Sequence, residues 1–265
     1  MYQENIDITT PIDNAIIWRY MDLSKFLDIL YRKALYFTRA DRLDDPFEGS
    51  IPKINVEKFK NDITKNTLYH GIYKTLKPLI KDDNTEWEDI RKSVREFIGI
   101  NSWNMNKVES SSFWKQYCSG SDGIAIQSTI ERLKKCMTNE PEPVYIGQIN
   151  YIDYSDDEMP VISFLHQFLY KREVFADEKE VRAIVFLNQY DFSTLDPITI
   201  ETVRKLEYNN LIGYHVSIDP EILIESVILA PSNEEWQKEL LQSLINHYKF
   251  KLTICPSSLR NKPLY

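Results

Sequence analysis

The chain is organised around residues 34–49, which read ALYFTRADRLDDPFEG. The first part of this stretch is apolar and aromatic, which is typical of a short strand. The second part contains two turn signals, Asp45-Pro46 and Glu48-Gly49, and is dense in charge. Arg39, Asp45 and Glu48 are therefore expected where a strand ends. They are candidates for a ligand site, or members of a solvated loop whose acids and arginines pair with each other.

A strand and a helix are predicted immediately before this stretch. Residues 16–20 (IIWRY) predict the strand, and either Asp22 or Ser24 can cap the helix that follows. Apolar residues then recur at helical spacing, at Leu23, Phe26, Leu27 and Leu30. The order strand, helix, strand, loop places Arg19 and Tyr20 at the end of the first strand. It also places Tyr36 and Thr38 on one face of the second.

A second charged block lies at residues 171–187, which read KREVFADEKEVRAIVFL. If a strand begins near Glu178, then Glu178, Glu180 and Arg182 share one of its faces. Two neighbouring carboxylates raise each other's pKa, and an adjacent arginine lowers it again. Such a group suits the binding of a ligand hydroxyl or the stabilisation of a cation-like transition state. The alternative is an exposed strand entrance with an ion pair across one face.

Two further regions contribute candidate residues and structure. Residues 55–99 read as two helices that form a helical insert. Trp114 and Tyr117 are three residues apart and so lie on one helix face, as core residues or as a stacking wall for a flat ligand. Cys118, beside a Gly-containing turn, is a minor candidate for a nucleophile.

The order of elements predicts the fold class. Strands and helices interleave irregularly along the chain, so we predict an α+β fold with a mixed, largely antiparallel sheet and flanking helices. The length of 265 residues suits one domain over residues 1–265 that includes the insert.

The charge and amino-acid composition of the chain make several classes of function less expected. The net charge of -8 and pI of about 5.2 make general nucleic-acid binding unlikely. The acidic, polar residues 1–14 and the lack of a long apolar run predict neither a secretory signal nor a membrane span. Three widely spaced cysteines fit reduced thiols, so a cytoplasmic location is expected. Only 7 glycines argue against a Gly-rich phosphate cradle, and no Cys/His spacing predicts a metal site.

The two charged blocks together resemble the bacterial family called domain of unknown function 2971. The resemblance covers roughly Trp18 to Ser258 and rests mainly on residues 35–38 (LYFT), 43–48 (LDDPFE) and 178–182 (EKEVR). Asp44 stands where Asn is commoner in that family. Members of the family are uncharacterised, so this resemblance implies a fold and not an activity.

The opening strand-helix-strand is similar, more weakly, to the start of ADP-ribosyltransferase-type folds, which bind NAD. This resemblance implies that Arg19 or Tyr20 holds the NAD phosphates or ribose and that Tyr36 stacks on nicotinamide, with Thr38 as the Ser/Thr of the second strand. Glu180 would bond the ribose hydroxyl and stabilise an oxocarbenium-like centre, with Glu178 as its partner in a Glu-x-Glu pair. The function implied is an NAD-using transferase or NAD-cleaving effector, such as a toxin or a phage-defence component, with NAD as substrate and no metal.

Two other classes of function stay open from the sequence. One is a non-enzymatic module that holds a nucleotide, peptide or partner protein in an aromatic cleft. The other is a metal-dependent nuclease or hydrolase whose ligands are Asp44, Asp45, Glu48 and Glu178. All three readings depend on whether the two charged blocks meet in one pocket.

Overall fold

The computed structural model of the chain describes residues 1–62, 95–118, 122–137, 143–160, 165–186 and 212–263. It opens with the predicted order: β1 (Ile16–Asp22), α1 (Leu23–Arg32) and β2 (Ala34–Arg39). Asp22 caps α1 by accepting a hydrogen bond from the backbone N–H of Lys25. The helix ends at Arg32 because Lys33 adopts a left-handed backbone conformation with φ 51°.

The other elements follow in chain order. The remaining strands are β3 (Ile98–Asn104), β4 (Gly123–Thr129), β5 (Val144–Gln148), β6 (Asn150–Ile152), β7 (Tyr170–Arg172), β8 (Glu180–Phe186), β9 (Gly213–Ser217), β10 (Ser226–Leu229) and β11 (Ile254–Pro256). The α-helices are α2 (Lys53–Asp62), α3 (Ser111–Tyr117), α4 (Ile130–Lys135), α5 (Pro220–Leu223) and α6 (Glu235–His247). Short 3₁₀ helices lie at Ala40–Arg42, His166–Phe168, Glu173–Glu178 and Ser258–Arg260.

Nine of these strands form one sheet, and most neighbours in it are antiparallel. Its main path runs β11-β10-β4-β1-β3-β2-β9, with β8 pairing both β3 and β5. The β10–β11 pair is parallel, and β6 and β7 form a separate parallel pair. The predicted α+β class with a mixed, largely antiparallel sheet and flanking helices is confirmed.

The sheet forks at β3, and this fork positions the site. β3 pairs with β8 along its whole length, from Ile98 to Asn104. Its other edge is shared by two strands: β2 pairs at Gly99 and Ile100, and β1 pairs at Asn104. Residues 101–103 of β3 therefore separate β1 from β2, so that these two strands diverge.

Apolar packing holds the diverging halves in place. The largest cluster of buried residues joins α1, α4 and α6 to the sheet, and its centre includes Phe26, Phe37 and Trp103. Each is at most 2% exposed, and burying a side chain of this size contributes about 2–3 kcal/mol. Because β1 and β2 both contribute residues to this cluster, a closely packed core supports the two strands where they diverge.

Several predicted boundaries are wrong. The strand of the second charged block begins at Glu180 and not near Glu178, which ends a 3₁₀ helix. The aromatic run at residues 144–151 predicts one strand, but the structure has two, β5 and β6, in different sheets. The apolar residues 161–170 predict a helix, but the part that the structure describes, from residue 165, forms a 3₁₀ turn and the start of β7.

The predicted helical insert at 55–99 lies mostly outside the described residues. Helix α2 begins at Lys53, two residues before the predicted start, and β3 already begins at Ile98. Within the described residues, no helix is both long enough and apolar enough to cross a membrane.

Candidate active site

A cleft of about 740 Å³ lies where β1 and β2 diverge from β3. One wall comes from the end of β1 and the first turns of α1, and another from β2 and the turn at residues 43–48. The remaining walls come from β3, α3 and the start of β8. Both charged blocks identified in the sequence line this one cleft. They therefore meet although about 130 residues separate them along the chain.

A buried arginine joins the two blocks. Arg182 is 1% exposed and donates from Nη1 and Nη2 to the two carboxylate oxygens of Glu48, each over 2.7 Å. Its Nε donates to Glu180 Oε1 over 2.7 Å, and Nη2 reaches Glu180 Oε2 at 3.2 Å. Nη1 also donates to the backbone oxygen of Phe168 at 2.9 Å. Arg182 thus links the Asp-Pro-Phe-Glu turn to the first residue of β8.

Lys171 completes this buried group of charges. Its Nζ lies 2.5 Å from Glu178 Oε2, 3.1 Å from Glu180 Oε2 and 3.8 Å from Glu48 Oε1. We call Glu48, Lys171, Glu178, Glu180 and Arg182 the acid cluster. Its three carboxylates and two cations leave one negative charge in excess at the cleft.

The electrostatics of the acid cluster keep Glu180 ionised. Burial alone raises the pKa of this carboxyl, but the charges of Arg182 and Lys171 and hydrogen bonds from Arg182 and Ser102 outweigh it and lower the pKa to about 2. Burial raises the pKa of Glu178, although its hydrogen bond with Lys171 acts in the opposite direction. Of these two carboxylates, Glu180 is the one that the structure holds as an anion most firmly.

A second cation in the cleft has a different environment. Arg19, on β1, donates from Nη1 to the backbone oxygen of Ser102 at 2.7 Å, which satisfies a carbonyl in the forked part of β3. Its guanidinium lies 6.0 Å from the Trp103 ring centre. Among the described residues, no carboxylate oxygen lies within 4.0 Å of it. Burial lowers the pKa of Arg19 to about 10, so the group is a cation at neutral pH.

A column of aromatic rings forms one wall of the cleft that contains Arg19 and the acid cluster. Tyr20 stacks on Phe113 with ring centres 5.5 Å apart, and Phe113 stacks on Tyr117 at 5.7 Å. Tyr117, the last ring, lines the cleft and is 47% exposed. Burial raises its pKa, the negative charges of Glu178 and Glu180 raise it further, and the positive charge of Arg19 lowers it. Tyr117 is therefore close enough to both Arg19 and the acid cluster for their charges to act on it.

Most of the site residues named from the sequence line this cleft. Those that do are Arg19, Tyr20, Tyr36, Thr38, Asp45, Glu48, Tyr117, Glu178, Glu180 and Arg182. Tyr20 contributes mainly to packing, since it is 7% exposed and its hydroxyl accepts from the backbone N–H of Ser110. Tyr36 contacts the His215 ring edge-on at 5.1 Å. Asp45 is paired with Arg172 at the rim, with Nη2 and Oδ1 3.0 Å apart.

Two predicted site residues lie elsewhere. Arg39 does not line the cleft, because its guanidinium forms two 2.7 Å hydrogen bonds with Asp41. Trp114 packs edge-on against Tyr20 behind the cleft wall, and its Nε1 donates to Glu109. The helical spacing of Trp114 and Tyr117 was correct, but only Tyr117 borders the cavity.

Sequence reasoning missed several residues that shape the cleft. Lys171 belongs to the quoted charged block, yet only the structure shows that it contacts three carboxylates. Ser102 carries no motif and gains its position from the fork of β3, whereas Phe113 is placed by helix α3, where it stacks on Tyr20. The repeated aromatics of residues 113–117 are the one signal that pointed to this wall.

The carboxylates proposed as metal ligands are mostly committed to cations. Asp45, Glu48 and Glu178 pair with Arg172, Arg182 and Lys171 respectively. No group of three or more His, Cys, Asp or Glu within the described ranges is arranged to hold a metal ion.

Cys118, the minor candidate for a nucleophile, has an unfavourable environment for that role. Its thiol donates to the backbone oxygen of Met21 at 3.4 Å, and burial raises its pKa. A raised pKa reduces the thiolate fraction and so disfavours nucleophilic attack.

The chain is similar to solved structures in its fold, although its sequence matches no family model. No protein-family model and no curated protein matches the chain, so the resemblance to the family called domain of unknown function 2971 stays a prediction. A solved structure described as DarT of Thermus sp. 2.9 in complex with ADP-ribosylated ssDNA aligns with 96% of this chain and 100% of its own, at a TM-score of 0.40 and 7% identity. A likeness at this level assigns no activity, substrate or partner, so the expectation that general nucleic-acid binding is unlikely stays a prediction.

Proposed function

We propose that the cleft binds NAD and that the protein is an ADP-ribosyltransferase-like enzyme that cleaves the bond between nicotinamide and ribose. The observation that supports this most is that one cavity contains both kinds of charge. Arg19, with no carboxylate partner among the described residues, lines it together with the acid cluster and its excess negative charge, and Ser102 contacts both Arg19 and Glu180. NAD also has both kinds of charge, because its pyrophosphate is anionic and its nicotinamide ring is cationic.

The charges fit the chemistry of this cleavage. As the bond between ribose C1′ and the nicotinamide nitrogen breaks, the electron pair leaves with nicotinamide and positive charge develops on the ribose. C1′ then forms a bond to water or to an acceptor nucleophile, which loses a proton to the solvent. Glu180 remains ionised throughout the neutral range, with a pKa of about 2, so it can stabilise that charge without taking up a proton. Arg19 is placed to bind phosphate oxygens, for which a guanidinium is well suited.

The test is incubation of the protein with NAD while nicotinamide release is measured. We expect Glu180→Gln to lower the rate at least about a hundredfold, since it removes the anion that stabilises the transition state. Arg19→Gln is expected to raise KM for NAD more than it lowers kcat. Arg260→Gln, which changes an exposed arginine outside the cleft, serves as the matched control. Equal rates for the wild type and Glu180→Gln would contradict the proposal.

A non-enzymatic nucleotide-binding module is the second candidate, and one observation favours it. Both oxygens of Glu180 already accept hydrogen bonds from Arg182 or Lys171, which is also the arrangement of a structural ion-pair network. A module of this kind would bind NAD or ADP-ribose in calorimetry, would lose affinity in Arg19→Gln, and would leave NAD intact. The same two assays therefore separate the two functions.

A further inference from the structure

We propose that Glu48 of the Asp-Pro-Phe-Glu turn is a positioning residue for catalysis, which acts through Arg182 to hold the Glu180 carboxylate in its place at the cleft. This inference rests on the proposed NAD cleavage. It gives the turn at residues 45–48 a role in the reaction in addition to its place in the fold.

The hydrogen bonds of Arg182 leave it unable to bind a ligand itself. A guanidinium has five N–H donors, and Arg182 makes five hydrogen bonds: two to Glu48, two to Glu180 and one to the Phe168 backbone. A ligand in the cleft would have to displace one of them. Arg182 is therefore a fixed link between two carboxylates and not a phosphate-binding residue.

The geometry of the Glu48–Arg182 pair explains how position is transmitted. Both Glu48 oxygens accept from the two terminal nitrogens of Arg182, which fixes the plane of the guanidinium as well as its location. The Nε edge of that plane then faces Glu180 Oε1. Rotation of the guanidinium would break the pairs on both sides, so the orientation of Glu180 depends on Glu48.

Stability alone is a weak reason for this arrangement. Glu48, Glu180 and Arg182 are 3%, 5% and 1% exposed, so all three charges have lost most of their water. Replacing such a buried group with packed apolar residues is often neutral or stabilising. The arrangement is better explained by the need for an ionised carboxylate in one orientation at the cleft.

The test uses two conservative substitutions in a double-mutant cycle on nicotinamide release. Glu48→Asp keeps the negative charge that Arg182 requires but shortens the side chain by one methylene, so the two-oxygen pairing must shift. We expect kcat to fall about tenfold to a hundredfold with KM for NAD unchanged within about twofold. In a Glu180→Asp background, where the carboxylate is already displaced, the same substitution should cost less than about threefold.

Asp41→Asn is the matched control for a loss of stability. Asp41 pairs with Arg39 through two 2.7 Å hydrogen bonds in the same stretch of chain, and neither residue lines the cleft. If Asp41→Asn lowers Tm as much as Glu48→Asp does, Asp41→Asn should still have the kcat of the wild type. The inference is overturned if Glu48→Asp leaves kcat unchanged, if Asp41→Asn lowers kcat as much, or if the two effects in the cycle simply multiply. Failure of the wild type to release nicotinamide would instead overturn the proposed function, and this inference with it.

Discussion

Two arginines line the same cleft and have opposite environments. Arg182 is enclosed by Glu48 and Glu180, and although burial opposes it, the charges of these carboxylates raise its pKa well above the usual value. Arg19 makes its hydrogen bond to a backbone oxygen, and burial lowers its pKa to about 10. The first guanidinium is part of the internal charge balance of the fold, whereas the second is a cation available to an anionic ligand. A residue type alone therefore does not identify a binding residue, but its remaining hydrogen-bonding capacity does.

Replacement of the enclosed arginine should have the largest effect on stability. Arg182→Met retains most of the volume but leaves Lys171 as the one cation in the acid cluster for the buried Glu48 and Glu180 as well as for Glu178. Breaking a buried ion pair in this way costs about 3–5 kcal/mol, so we expect the free energy of unfolding to fall by that amount at pH 7. Urea denaturation followed by circular dichroism measures it.

The triple variant Glu48→Gln, Arg182→Met, Glu180→Gln is the control for uncompensated charge. It removes the stranded carboxylates and should recover part of the lost stability. If the triple variant is no more stable than Arg182→Met, then the arginine contributes through packing and not through charge.

The next largest change in the free energy of unfolding is expected when the pH is lowered until Glu180 takes up a proton. The folded-state pKa of Glu180 is about 2, below the value near 4.3 expected in an unfolded chain. Its ionisation therefore contributes stability that is fully present above about pH 4.5 and is lost as the pH falls toward 2, on the order of 3 kcal/mol. Urea unfolding at pH 5 and pH 2.5 should show a larger drop for the wild type than for Glu180→Gln. Equal drops would mean that Arg182 and Lys171 do not hold this carboxyl ionised.

The sequence predicted much of this arrangement for identifiable reasons. The opening strand, helix and strand follow from the apolar spacing of Leu23, Phe26 and Leu30 and from the cap at Asp22, which are local signals. The charges of residues 45–48 and 178–182 stood out because charged side chains are rare in buried strand ends. Local pattern and unusual charge were therefore sufficient to find both halves of the acid cluster.

The remaining features depend on contacts that are distant along the chain. Arg39 and Arg182 look alike in the sequence, yet Arg39 pairs with Asp41 two residues away while Arg182 pairs with Glu48 across 134 positions. The sequence pattern predicts the start of β8 near Glu178, two residues too early. Charged residues occur at every second position from 178 to 182, and this pattern gives no sign of the left-handed backbone at Lys179. Ser102 gains its role from the fork of β3, and Lys171 gains its role from the pairing of β7 with β6, and no periodicity in the sequence encodes either feature.

Arg19, which has no carboxylate partner in the described part of the chain, should affect binding more than folding. Arg19→Gln removes the charge, and a hydrogen bond to a charged group contributes about 1.5–3 kcal/mol. We therefore expect NAD and ADP-ribose to bind about 10–100-fold more weakly in calorimetry. The free energy of unfolding should change by less than about 1 kcal/mol, because desolvation already opposes this charge. If Arg19→Gln is destabilised as strongly as Arg182→Met, the contrast between the two arginines is wrong.

The smallest effect is expected at the rim, where Asp45 lies three residues before Glu48 in the same turn. The Asp45 side chain is itself 5% exposed, but its cation, Arg172, is 37% exposed and lies 4.7 Å from the Phe47 ring centre, so water and salt reach the pair from the arginine side. Partly exposed pairs contribute about 0.2–1 kcal/mol and are screened by salt. Asp45→Asn should therefore lower the free energy of unfolding by less than about 1 kcal/mol, and by still less in 1 M NaCl.

Glu48→Gln, measured beside it, should lower the free energy of unfolding several times more and show little dependence on salt, because Arg182 is enclosed. Equal losses for the two acids would mean that the exposure of the partner arginine, 37% for Arg172 and 1% for Arg182, does not distinguish the rim of the cleft from its acid cluster.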